Sequence, residues 1–481
     1  MTRRQKSITV AEFDGLYADD GAFPPVRDTL HPIDRHLFGK LEELALSLAA
    51  KSADEPDGAI LSISSRTGIG KVVTVRNYVG VILFDDGHQI EVLPKILRLM
   101  GAPETPERAA NEERARKIFL RMLRDAWDIV PAESSPTSLR TARIPVFEAF
   151  IRMFLDSAGA IVKRGLAGGY GRVEENERFF KGKLLVTEHI RQNSVRRDRF
   201  FVAHDVFSLD NPANRILRSG LEWVLDKSRL ESNQRLARQL LVAFEDVPAS
   251  ANLAADFASC ASAERNNGYK VALDWCRLFL RGESVANLPG TRHAQALLFP
   301  MEVVFERFVA RRLRRAAPEG TVVKVQDRSL HLFEQSLDGK AFLLQPDIVI
   351  RRPAEGATRT TIADTKWKLL DETDRNYGIS TADMYQMYAY IKRHEADSAI
   401  LVYPRHDALG GIGEIPPFFT TPGDADVRVK FVDLENPNES IKEIFDLDTN
   451  GAPVRKRTVI PCGDRHLWVP TEPRTNTDEA R

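Results

Sequence analysis

Cysteine is scarce in this chain: Cys260, Cys276 and Cys462 are the three in 481 residues. No two of them form a C-x-x-C pair, which argues against a disulfide framework or a cysteine-based zinc site and fits a reducing cytoplasm. Long apolar runs are missing too. None approaches the ~20 residues of a bilayer span, so no membrane association is expected. Met1-Thr2-Arg3-Arg4 is basic, but no apolar segment follows as a secretory signal would require. Net charge is absent, with Lys+Arg and Asp+Glu both at 68. That balance excludes a strongly basic packaging protein and leaves room for a local basic groove. There is no internal repeat. The stretch Arg66-Thr67-Gly68-Ile69-Gly70-Lys71 is not a phosphate-binding loop, because Ser65 stands where its first Gly belongs and Val72 where Ser or Thr belongs. No nucleotide-hydrolysing motor is encoded.

The informative stretch runs from Leu344 to Tyr390. LLQPDIVI places Pro346-Asp347 in an apolar run that reads as a buried strand. TTIADTKWKLL reads as another, and Arg351 to Thr360, with Pro353 and Gly356, is the expected loop of a hairpin between them. Residues two apart on a strand share a face, so Asp364 and Lys366 project together, and pairing can bring Asp347 beside them. Two carboxylates and an ammonium at one sheet end suit phosphodiester hydrolysis. The carboxylates are hard oxygen ligands for Mg²⁺, which neutralises phosphate charge and acidifies a bound water. Lys366 can position that water or help deprotonate it. These residues alone leave a plainer reading open, acids and a lysine at solvated strand ends. Further on, Ser380 is a plausible N-cap. The helix after it carries Asp383, Gln386 and Tyr390 at i, i+3 and i+7, on one face.

The pattern P-D…D-x-K resembles the signature of the PD-(D/E)xK nucleases. The spacing of Gln386 and Tyr390 resembles the helix after the lysine strand in their RecB-like members. The wider string DTKWKLL…YGISTADMYQMYAYIKRH resembles McrC, the nuclease subunit of the McrBC modification-dependent restriction family. In such nucleases an acid on the helix before the first strand often joins the metal site. LLFPMEVVFERFVARRLRR reads as that helix, with Met301, Phe305 and Phe308 on its apolar face. Of Glu302 and Glu306, the resemblance selects Glu306, in the Phe-Glu pair. It thus implies a catalytic set of Asp347, Asp364, Lys366, Glu306, Gln386 and Tyr390, with Mg²⁺ on Asp347, Asp364 and Glu306. It also implies a partner, the GTP-hydrolysing AAA+ protein McrB, which recognises methylated cytosine in double-stranded DNA and which McrC stimulates. Two alternatives stay open: a RecB-like nuclease of another defence or repair complex, and an inert DNA-binding activator of a motor.

Around this core the expected architecture is mixed α/β, or α+β. Residues 1–105 read as a β-rich amino-terminal domain for partner docking. It has a helix from Pro32 to Ala50, strands from Gly58, and a hairpin in VGVILFDDGHQIEVLPKI turning at Asp85-Asp86-Gly87. The IEVLPKI ending also resembles McrC. Residues 106–285 form a mixed helical and β region. It holds a charged helix from Pro103 to Asp128, another from Val146 to Arg164 broken at Gly165, and β structure from Arg172 to Phe207. A helical block then runs to Arg281. Between Lys163 and Arg199, ten Lys/Arg face five Asp/Glu, interleaved with Tyr170, Phe179, Phe180, Phe200 and Phe201. This suits contact with DNA phosphates or an acidic partner, and equally suits strand core with solvated charges. KRGL, KGKLL and SLDNPANRIL resemble McrC as well. Residues 286–449 form the nuclease domain, a central mixed sheet flanked by helices with strands VVKVQDRSLHLF, SAILVYPR and VRVKFVDL. Residues 450–481 read as a disordered polar tail.

Overall fold

In the computed structural model the described residues are 7–19, 29–49, 59–96, 105–127, 144–260, 267–281, 294–334, 341–354, 357–371, 373–406, 409, 418–420 and 426–446. Cys462 and the expected polar tail lie outside them.

The chain opens with β1 (Ser7–Ala11), β2 (Gly15–Ala18), β3 (Leu30–Ile33) and α1 (Arg35–Ala49), then β4 (Leu61–Arg66), β5 (Gly70–Val75), β6 (Tyr78–Phe84) and β7 (Gln89–Leu93). They build two four-stranded sheets around α1. One has the order β3-β2-β5-β4. The other is β1-β7-β6 closed by residues Ala294–Pro300, which pair antiparallel with β6. The helix expected from Pro32 begins later, at Arg35. Asp34 Oδ1 accepts from the backbone N–H of His36 at 2.9 Å and of Leu37 at 3.2 Å, an N-terminal cap. Pro32 instead lies in β3, an edge strand where its missing N–H is harmless. Gly68 and Gly70, both at positive φ, shape the turn between β4 and β5. The expected hairpin of β6 and β7 is present, with Ile82 opposite Ile90.

Next come α2 (Thr105–Trp127), α3 (Val146–Arg164), β8 (Gly169–Glu177), β9 (Lys183–Leu184), α4 (Val186–Asn193) and β10 (Phe200–Ser208). The helices α5 (Pro212–Lys227), α6 (Glu231–Leu241), α7 (Leu253–Ser259) and α8 (Asn267–Arg281) come after β10. Helices α3, α5, α6 and α8 share a core rich in Phe150, Phe154, Trp275 and Phe279. The expected β section is only partly β, because Val186–Asn193 forms a helix against β10. The three-stranded sheet has the order β8-β10-β9. Of the five aromatics named above, Tyr170 of β8 and Phe179 and Phe180 between β8 and β9 are largely exposed, at 77%, 80% and 60%, and are not strand core, while Phe200 and Phe201 of β10 are half-buried. Phe207 of β10 is exposed as well.

The remaining elements are β11 (Ala294–Pro300), α9 (Met301–Ala316), β12 (Val322–Val325), β13 (His331–Phe333), β14 (Ala341–Leu343), β15 (Ile348–Ala354) and β16 (Ala357–Thr365). After them come α10 (Thr381–His394), β17 (Ser398–Pro404), β18 (Phe418–Thr420), β19 (Asp426–Val432) and α11 (Pro437–Asp446). The central sheet is mixed, in the order β12-β15-β16-β17-β19-β18, with β16, β17 and β19 parallel. Helix α10 is the crossover from β16 to β17. Its Met387, Tyr390 and Ile391 pack with Ile362, Leu401 and Tyr403. On the other face, Phe305 and Phe308 of α9 and Ile441 and Ile444 of α11 share a core with Ile348, Ile350, Ala363 and Val402. That core is continuous with the middle helices. Three expectations need correction. LLFP is strand, not helix, and the helix starts at Met301. The segment VVKVQDRSLHLF splits into β12 and β13 around Gln326, which has a φ of 48°. The supposed loop from Arg351 to Thr360 is mostly strand, pairing Arg351 with Thr360 and Pro353 with Thr358. Pro353 is tolerated because β12 pairs only as far as Arg351, so it lacks a neighbour on that side. Among the described residues, no helix is long and apolar enough to cross a membrane.

Candidate functional site

Ile348 pairs with Ala363 in the hairpin of β15 and β16, so one residue further out Asp347 stands opposite Asp364. Both sit at the end of the sheet where α10 begins its crossover. Asp347 Oδ2 accepts from the Thr365 backbone N–H and hydroxyl, both at 2.7 Å. The Thr of Asp-Thr-Lys thus locks one acidic strand end to the other. Asp364 is 2% exposed, and its Oδ2 lies 2.6 Å from Lys366 Nζ. Lys366 Nζ also donates to Gln386 Oε1 at 3.1 Å and lies 3.8 Å from Asp383 Oδ1. Gln386 Nε2 donates to Tyr390 Oη at 2.9 Å, and Tyr390 donates to the carbonyl of Gln345 at 3.0 Å. A chain of polar contacts therefore runs from Lys366 through α10 and back to the strand that bears Asp347. The cap that starts α10 is the expected one: Ser380 Oγ accepts from the Asp383 N–H.

Glu306 reaches the same end from α9. Its Oε1 accepts from Gln326 Nε2 at 2.9 Å, while the Gln326 backbone N–H donates to the Asp347 carbonyl at 2.8 Å. The other glutamate of the pair, Glu302, turns instead to Asn77 of the amino-terminal domain. Burial, then the Asp347 carboxylate, pushes Glu306 up to about 7. Burial and Asp347 likewise push Asp364 up to about 6, against the pull of Lys366. Asp347 is also raised by burial, which outweighs its bonds from Thr365. Burial works against the Lys366 cation, but the carboxylates of Asp364, Asp383 and Asp347 outweigh it and hold its pKa above the ordinary value. An ammonium sits among carboxylates that repel one another.

The donors are hard oxygens, and their mutual repulsion is what a divalent cation relieves, so in kind they fit Mg²⁺. In position they are not gathered. Among the described residues no three His, Cys, Asp or Glu side chains form a group that could hold a metal as they stand. Asp347, Asp364 and Glu306 are each turned onto Thr365, Lys366 and Gln326.

Sequence reasoning missed several partners. Gln326 carried no signal, because it lies at the break in an expected strand. Trp367 is buried beside Lys366, and its Nε1 donates to Glu12 Oε1 at 2.8 Å. Nothing in the local pattern at Glu12 points to that contact.

The sequence pattern of the family described as "McrBC 5-methylcytosine restriction system component" matches residues 73–404, well over half the chain. No curated protein matches it significantly in sequence. Its fold is similar to one from the tetradecameric assembly of Thermococcus gammatolerans McrB AAA+ hexamers with bound McrC. There the TM-score is 0.63 at 20% identity, over 91% of this chain and 100% of that one. A second match, in the cryo-EM structure of the Thermococcus gammatolerans McrBC complex, covers 65% of this chain and 89% of that one, with 20% identity and a TM-score of 0.48. By its matched sequence, this chain belongs to the family of McrBC 5-methylcytosine restriction system components.

Proposed function

We propose that the chain is the DNA-cutting subunit of a modification-dependent restriction system, hydrolysing phosphodiester bonds with Mg²⁺ beside a McrB-like AAA+ GTPase that it stimulates. One observation carries the reading: Asp347, Asp364 and Lys366 meet at one sheet end and are tied to Gln386 and Tyr390, in a chain of the McrBC family.

Asp347, Asp364 and Glu306 would hold the ion. Bound there, Mg²⁺ supplies charge neutralisation at the scissile phosphate and a more acidic water. Lys366, held as a cation, orients the attacking water and offsets the charge that develops on the phosphate. Gln386 fixes the direction of the ammonium, and Tyr390 fixes Gln386. The relative's assembly holds McrC bound to McrB AAA+ hexamers, which supports a partner of that kind. The exposed aromatics here, Tyr170 and Phe207 paired on β8 and β10 and Phe179 and Phe180 in the connection to β9, are the surface such a ring would cover.

The test is Asp347→Ala and Asp364→Ala in the full chain, assayed with the partner on methylated plasmid. Cutting should disappear while stimulation of GTP hydrolysis stays near wild type. Retained cutting in either variant removes that residue from the site.

A further inference from the structure

We propose that Glu12 and Lys95 of the amino-terminal domain are positioning residues for Lys366, holding from outside the strand end that carries it. The inference rests on the nuclease reading and adds to it a requirement for the amino-terminal domain.

Lys366 lies one residue past the end of β16. Its backbone N–H donates to the Val402 carbonyl at 2.9 Å, which ties it to β17. On the other side the pairing with β15 has already ended at Ile348 and Ala363. The backbone beyond Lys366 must be anchored elsewhere, and the anchor is Trp367. Its Nε1 donates to Glu12 Oε1 at 2.8 Å, and its carbonyl accepts from Lys95 Nζ at 2.7 Å. The two are locked to each other as well, since the Lys95 backbone N–H donates to Glu12 Oε1 at 2.8 Å. Glu12 is in turn fixed to β7 through its backbone N–H on the Leu93 carbonyl at 2.9 Å. The Lys95 ammonium lies over the rings of Phe13 and Trp367, at 5.3 and 5.7 Å from their centroids.

Packing alone does not require this arrangement. Glu12 is 0% exposed, and a buried carboxylate is costly unless partnered. An apolar pair of the same shape would join two domains at less cost. What the polar latch adds is direction: two hydrogen bonds fix both the indole and the carbonyl of the residue after Lys366. The same indole packs on Phe305, 5.4 Å between centroids, one residue before Glu306. A shift of the latch therefore moves Lys366 first and the start of α9 second. Small misplacements of a reacting group are expensive, about 100-fold in rate for roughly 1 Å.

The experiment uses the full chain with its AAA+ partner. Trp367→Phe keeps the ring and loses the N–H, Glu12→Ala loses the acceptor, and Glu12→Gln keeps one. Cutting is measured against Mg²⁺ concentration, and Mn²⁺ binding is followed separately by electron paramagnetic resonance. W367F and E12A should cut about 10-fold to 100-fold more slowly at saturating Mg²⁺. Half-saturation and Mn²⁺ affinity should be unchanged, and E12Q should recover most of the rate. E12A against E12Q gives the comparison without altering the core indole. Wild-type cutting by W367F and E12A, or a loss of Mn²⁺ affinity that matches the loss of cutting, overturns the proposal. A wild-type chain that binds Mn²⁺ yet never cuts with its partner overturns the nuclease reading itself, which separates the two failures.

Discussion

Glu306→Gln probes the carboxylate cluster without asking for catalysis. Glu306 is moved from an ordinary 4.5 to about 7, by burial first and the Asp347 carboxylate second, while Gln326 pulls the other way. At about 1.4 kcal/mol per pH unit, that is roughly 3 kcal/mol against the ionised form. The side chain is only half-buried, so solvent screening reduces this to about 2 kcal/mol. The sign is set by linkage. The folded chain holds this proton more tightly than the unfolded chain. The associated stability is therefore fully present below pH 4.5, is lost as pH rises to about 7, and is gone above that. Asp364 acts in the same direction between 3.8 and about 6. Both feel Asp347, so their effects do not simply add.

Without divalent cations, the wild-type chain should lose about 2 kcal/mol or more between pH 4.5 and pH 8. E306Q, which has no proton to lose there, should keep only the part of that slope that Asp364 and Asp347 supply. At pH 8 the variant should be the more stable by about 2 kcal/mol, or about 4–8 °C at roughly 2–4 °C per kcal/mol for a unit of 150–250 residues. Mg²⁺ should narrow the gap, because a cation relieves the repulsion that the substitution removes. The assay is a set of thermal melts across this pH range, with chelator and with Mg²⁺. A variant that melts at or below wild type at pH 8 in chelator would refute the reasoning.

Lys366→Arg and Lys366→Ala should both lose about 10²–10³-fold in cutting, because the slot between Asp364, Asp383 and Gln386 is formed around a compact ammonium and not a planar fork. Plasmid binding should persist, and an R variant that cuts well would show that Lys366 supplies charge alone. Phe179→Ser with Phe180→Ser should weaken stimulation of the partner's GTP hydrolysis several-fold and leave the melting temperature within about 4 °C, since exposed substitutions are usually within ~0.5 kcal/mol each. Undiminished stimulation would move the docking surface elsewhere.

The candidate site was legible because its residues obey short-range periods. Asp364 and Lys366 share a strand face, Gln386 and Tyr390 share a helix face, and Ser380 caps that helix as its type predicts. Asp347 needed one further assumption, that neighbouring strands pair, and the hairpin supplies it. Local punctuation misled where tertiary context overrode it. Pro353 and Gly356 marked a loop, yet Pro353 lies beyond the reach of β12 and costs the sheet nothing. Ala294–Pro300 shows a different limit. A short apolar run does not distinguish a strand from the first turn of a helix, and here the deciding partner is β6, more than two hundred residues earlier.

That strand changes how the chain divides. Gly80 of β6, at a φ of 145°, lies so close to β11 that a Cβ there would meet the Leu297 carbonyl oxygen at 2.1 Å. The two backbones are fitted to each other across the expected boundary at residue 286. Directly after β11, α9 delivers Glu306 to the site, while Glu302 of the same helix bonds to Asn77 after β5. The amino-terminal sheet therefore aims the helix that brings Glu306, just as Glu12 and Lys95 hold the strand end that brings Lys366. A fragment ending at residue 285 would lack β11 and leave β6 with an open edge. Asp347, just before β15, and Asp364 of β16 are supplied by the carboxy-terminal sheet alone. Both the acid from α9 and the lysine are in contact with the amino-terminal side, so a substitution there can reach the site along two routes.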